Sequence, residues 1–261
     1  MKKIKKLLLA LSIVLVVFII GFVCIVLFDP FGGIRVKGSV ATEEEIEKLE
    51  DVLEDFFEES KYSYKYTYKS VCENRDEEEV EKTTISNKGT VSVEKKEYSS
   101  VVSYDLDATE KMKSTLVTTA GKKKLEEIIK ESVVVVGNFE NNKPEYKYYV
   151  DQEITVKEDK TKYVSEVKTQ DDANEFNYVD IKSYLRIYSS DIVYIKDETY
   201  TIIKNSATSI TEITIKLDGR NLKKVVYESK SSEGTVDITF KIIDFKEISA
   251  PRNADKYRSV E

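Results

Sequence analysis

The chain has 261 residues and a formal charge of −7, from 41 basic and 48 acidic side chains, with no histidine, no tryptophan, two cysteines and seventeen tyrosines. Without an imidazole, the Ser-His-Asp and Cys-His nucleophile systems are excluded, as is every zinc site that needs a histidine. Carboxylates, lysine or tyrosine bases and oxygen-ligated metals remain, and no pattern among them specifies a reaction, so the chain is read as a non-enzyme without cofactor or metal.

Lys2, Lys3, Lys5 and Lys6 precede an apolar run from Leu7 to Phe28, 22 residues without a charge. As a helix that run is about 33 Å long, enough for a bilayer core of about 30 Å. The flanking lysines put the amino terminus in the cytoplasm and everything after Asp29 outside. A cleaved signal would have a shorter core and a small-x-small site close behind it. Ser39-Val40-Ala41 ends thirteen residues past Phe28, and Cys24 lies too deep in the run for a lipidation site. A retained, single-pass signal anchor in a bacterial cell membrane is the expectation. The abundance of Lys, Glu, Ile and Tyr matches an AT-rich bacterial genome.

Residues 29–41 read as a linker, with Asp29-Pro30 and Gly32-Gly33. Thr42-Glu43-Glu44-Glu45 is a capping box. Behind it Ile46, Leu49, Val52, Leu53, Phe56 and Phe57 recur at helical spacing, which predicts an amphipathic helix over about 42–59. Its acidic outer face suits docking on a protein domain better than on a membrane surface.

The pattern then changes to period two. Tyr62, Tyr64, Tyr66 and Tyr68 share one face of a strand, and the same alternation returns at Tyr98, Val102, Tyr104 and Leu106, at Tyr163 and Val167, at Ile213, Ile215 and Leu217, and at Val236, Ile238, Phe240 and Ile242. Turn signals stand at Asn87-Lys88-Gly89, Asn141-Asn142-Lys143-Pro144, Asp218-Gly219 and Ser231-Ser232-Glu233-Gly234. Leu125, Ile128 and Ile129 predict a short helix over Lys122–Lys130. Ile181, Tyr184, Leu185 and Tyr188 predict a second one over about 179–188. Eight to eleven strands with one polar face each imply a large antiparallel sheet and exclude parallel βαβ units.

The fold class is therefore α+β: a transmembrane helix, then a large curved antiparallel sheet packed on an amphipathic helix and two short helices. Residues 1–28 form the cytoplasmic tip and anchor, 29–41 the linker, 42–251 the extracytoplasmic domain and 252–261 a flexible tail. Outside the membrane 37 basic stand against 48 acidic residues, a net of −11, which argues against nucleic acid as a partner. Cys72, the one cysteine beyond the anchor, reads as a half-buried strand residue, with an intermolecular disulfide left open. Asp171-Asp172 lacks the spacing and glycine of a calcium loop.

This order of elements resembles the LolA-like lipoprotein-carrier fold, shared with LppX/LprG-type envelope lipoproteins. The local match is Ile213–Leu217, Asp218-Gly219, Leu222–Tyr227, Val236–Phe240 and Asp244-Phe245 before Ile248 and Pro251. The resemblance implies an incomplete barrel wrapped around helices and a lipid or other apolar ligand beneath it. Tyr64, Tyr66, Tyr68, Val102, Tyr104, Ile238 and Phe240, which share the apolar faces of their strands, are the expected lining. The competing expectation is a filled core, in which the tyrosines only pack on the first helix and the protein serves interaction with another envelope protein.

Overall fold

The computed structural model describes residues 38–259 except 77–78, 97–98, 120, 139–144, 159–160, 174–180 and 189–190. The expected anchor, Leu7–Phe28, and the Asn141–Pro144 turn lie outside the described residues. Among those described, no helix is long and apolar enough to cross a membrane.

A short strand β1 (Ser39–Val40) leads into helix α1 (Glu43–Glu58). The capping box forms as its sequence predicts: the Glu45 amide donates to the Thr42 hydroxyl at 3.3 Å, and the Thr42 amide donates to the Glu45 carboxylate at 2.8 Å. Leu49, Val52, Leu53 and Phe56 are buried, one continuous stripe at 3.6-residue spacing.

Six long strands follow: β2 (Lys61–Arg75), β3 (Glu79–Lys96), β4 (Ser99–Thr118), β5 (Gly121–Asn138), β6 (Glu145–Glu158) and β7 (Thr161–Ala173). After a single 3₁₀ turn, Ile181–Tyr184, come β8 (Ile192–Lys196), β9 (Thr199–Asn205), β10 (Ser209–Asp218), β11 (Asn221–Ser231), β12 (Gly234–Ile243) and the two-residue β13 (Arg258–Ser259). All thirteen strands belong to one open sheet in the order β1-β8-β9-β10-β11-β12-β2-β3-β4-β5-β6-β7-β13. Every pairing is antiparallel except that of β13 with β7.

Two expectations are corrected here. Lys122–Lys130 is the first half of β5, not a helix, and pairs with β4 on one side and β6 on the other. Leu125, Ile128 and Ile129 have helical spacing, but two waiting strand edges outweigh that local preference. Asn87-Lys88-Gly89 lies in the middle of β3 rather than in a turn. A methyl group on Gly89 would fall 2.6 Å from the Asp107 carbonyl oxygen and 2.7 Å from the Tyr66 ring. The glycine marks a close approach inside a sheet. The Asp218-Gly219 and Ser231–Gly234 signals do make hairpins, β10–β11 and β11–β12.

The strands are unusually long. β4 has 20 residues, about 65 Å at 3.3 Å each, whereas α1 with 16 residues reaches only about 24 Å. One helix therefore covers a fraction of the sheet. The core lies where α1 and the Ile181 turn meet it, around Leu49, Tyr62, Val93, Val135, Ile202, Ile215 and Val225. Toward the other end both faces are partly wet and cross-strand charge pairs are frequent. Glu126 meets Lys111, Lys113 and Lys157 at 2.5, 3.7 and 3.5 Å. Hydrogen bonding from Lys111 is the main reason its carboxyl titrates below the usual range.

The face opposite the tyrosines is not simply solvated. The chain after β12 crosses it. Its Lys246 amide donates to the Ser63 hydroxyl at 3.1 Å, and Ser63 in turn donates to Ser92 at 2.7 Å. The Lys246 ammonium lies 2.9 Å from Asp105 and 3.6 Å from Asp107, which raises its pKa, chiefly through the Asp105 bond. Further on, Tyr257 packs edge-on against Tyr149 at 5.5 Å. Part of the expected flexible tail, Arg258–Ser259, pairs with Thr169 and Gln170. Cys72 is exposed rather than half-buried.

Candidate functional site

Strand registers place the inward side chains in rows across the sheet. One row runs Phe240 (β12), Tyr66 (β2), Gly89 (β3), Ala108 (β4), Glu131 (β5) and Gln152 (β6). The next runs Ile238, Tyr68, Asn87 and Glu110. In the first row the two smallest residues sit side by side, between aromatic rings on one flank and polar chains on the other. The Tyr66 ring closes over Gly89, which leaves the small Ala108 side chain beyond it on the inward face. A half-open cleft of about 430 Å³ occupies that place, within the range typical of small-molecule sites.

Six of the seven expected residues border it: Tyr64, Tyr66, Tyr68, Tyr104, Ile238 and Phe240. Val102 belongs to β4, but its side chain lies outside the described residues. The tyrosine stripe divides by function. Tyr62 and Tyr64 are almost fully buried, and the Tyr62 ring lies 5.1 Å from Phe56 of α1. Tyr62 packs on the helix, while Tyr64 stacks on Tyr62 at 6.3 Å and borders the cleft. Tyr66 and Tyr68 lie beyond the helix, half-buried, and face the cleft.

The lining also includes residues that the sequence reading did not select. Ile85, Asn87 and Val91 come from β3, where a turn had been expected in mid-strand. Glu131 comes from β5 downstream of the expected helix, and Ala108 and Glu110 from β4. Leu106 continues the Tyr104 alternation and was findable by it. Tyr184, from the 3₁₀ turn, closes one side with its ring 5.6 Å from Phe240 and 5.7 Å from Tyr227.

Polarity is graded along the cleft. Tyr104, Leu106, Ile238 and Phe240 make an apolar wall. At the other end the Tyr66 hydroxyl donates to Asn87 Oδ1 at 3.0 Å, and Asn87 Nδ2 donates to Glu110 at 3.2 Å. Gln152 donates to Glu131 at 3.0 Å. Burial, reinforced by the charges of Glu110 and Glu131, pushes the Tyr66 phenol up to about 12. The neutral phenol is thus the form held in the site. No protein-family model, curated protein or solved structure matches this chain.

Proposed function

We propose that the chain is a membrane-anchored extracytoplasmic binding module that holds a lipid or other apolar ligand in the cleft beside Tyr66 and Tyr68. The anchor is residues 7–28, and the arrangement is of the LolA-like kind, with the sheet curving as an incomplete barrel over α1. The observation that carries this reading is the coincidence of the cleft with six residues chosen for their apolar strand faces alone. A core that exists only for packing fills its depressions, because interiors are close-packed.

The test uses the full chain in vesicles and a long-chain alcohol carrying a photoactivatable diazirine. Photolabel should appear on peptides that contain Tyr68 and Leu106. Ala108→Phe should fill the cleft and remove that label while costing under about 1 kcal/mol, because overpacking penalises filled cores and not empty space. Label confined to residues 7–28, or unchanged in Ala108→Phe, would rule the cleft out as a ligand site.

Anchoring is tested separately. Protease added to intact cells should leave a small membrane-bound stub containing residues 7–28. A soluble chain beginning near Thr42 in the medium would contradict it.

A protein-interaction role is the second reading. It draws on Tyr163 and Val164 of β7, which are 62% and 53% exposed. Absence of cleft label in the parent protein would leave that reading the better one.

A further inference from the structure

The two ends of the cleft differ in a way that selects a ligand class. Among the described side chains that border it, Glu110 and Glu131 are charged and none is Lys or Arg. Each carboxylate accepts a hydrogen bond from a neutral amide, Asn87 or Gln152. Neither takes part in an ion pair among the described residues.

The lysines of the same strands point away, as the two-residue period of a strand requires. Lys111 pairs with Glu126 at 2.5 Å and Lys130 with Glu153 at 2.8 Å, and both belong to the opposite face. Among the described residues, the negative charge inside the cleft has no cation beside it. The rings of Tyr66, Tyr68, Tyr104, Tyr184 and Phe240 border the same space. Aromatic rings offer negative faces to a cation, and rings combined with carboxylates are what an organic ammonium needs once it leaves water. A carboxylate or phosphate head would meet the opposite, two like charges at the polar end.

Resting on the reading of the cleft as a ligand site, we infer that its ligand is an amphiphile with an organic ammonium head and an apolar body. The ammonium lies by Glu110 and Glu131, and the body lies along Leu106, Ile238 and Phe240. Fatty acids and anionic phospholipids are disfavoured by the same charges.

Three probes with one body separate the possibilities: (1-naphthylmethyl)trimethylammonium, 1-naphthalenemethanol and 1-naphthaleneacetate. Each is titrated by its fluorescence into the full chain in vesicles of digalactosyldiacylglycerol, an uncharged lipid, with protein-free vesicles subtracted. The ammonium should bind about tenfold or more tightly than the alcohol, the scale of one or two desolvated cation–π and ionic contacts. The acetate should bind more weakly than either. Glu110→Gln combined with Glu131→Gln should erase the advantage of the ammonium over the alcohol.

Equal binding of ammonium and alcohol, or preference for the acetate, would overturn the ammonium assignment while the ligand cleft stands. Loss of alcohol binding in the double variant would assign the two glutamates to shaping the cleft and overturn it as well. Binding of none of the three would remove the cleft reading itself, and this inference with it.

Discussion

Phe56→Ala is expected to lower the unfolding free energy by about 3–5 kcal/mol, the range for removing a buried ring from a packed core. The ring is 5% exposed and lies 5.5 Å from Phe57 and 5.1 Å from Tyr62. It therefore joins α1 to the tyrosine strand directly. A 16-residue helix is marginal in water by itself, so this stripe is what keeps α1 in place. Denaturant unfolding of the full chain measures the loss. Glu50→Ala, on the exposed face, should change it by no more than about 0.5 kcal/mol. Equal small effects from both substitutions would show that α1 is held by something other than its apolar stripe.

Gly234→Ala should cost about 3 kcal/mol, the upper end for overpacking in a site that cannot relax. Gly234 opens β12 and pairs with Cys72 of β2. An added methyl would stand 3.0 Å from the Val71 carbonyl carbon and 3.1 Å from the Cys72 Cα, and closer still to the Val71 carbonyl oxygen. These are backbone atoms in the ladder that joins the two halves of the sheet, so no side-chain rotation relieves the clash. The loss should appear in the same unfolding measurement. A change below about 0.5 kcal/mol would mean that β12 already opens from β2 at this end.

The Gly234 substitution bears on the cleft, since the β12–β2 ladder carries Ile238, Phe240, Tyr66 and Tyr68 of its lining. Phe56 was legible as a core residue from helical spacing. Gly234 was legible as part of a turn, but its contact with β2 was not, because sequence spacing carries no information about which distant strand becomes a neighbour. The same limit explains Glu110 and Glu131. Each looks like an ordinary surface carboxylate within its strand, and only register brings them onto the row of Tyr66 and the row of Tyr68. Lys246 is a further case. Nothing nearby in sequence marks it as the partner of Asp105, whose burial depends on a segment that returns from the far end of the chain.

The sequence by itself determined the elements with a strong local cause. The Thr42–Glu45 cap, the α1 stripe, the Asp218-Gly219 hairpin and the inward tyrosines follow from side-chain period and backbone chemistry, which act over a few residues. Six cleft residues were legible for the same reason: alternation assigns faces without needing to know the neighbours. Tertiary structure alone decided the rest. Lys122–Lys130 became a strand because β4 and β6 offered hydrogen-bonding edges on both sides. Asn87–Gly89 ran straight because Tyr66 and Asp107 close over the glycine. The cleft exists because register brings side chains of β2, β3, β4, β5 and β12 together around Ala108, and such a space is a property of neighbouring chains that no single strand contains.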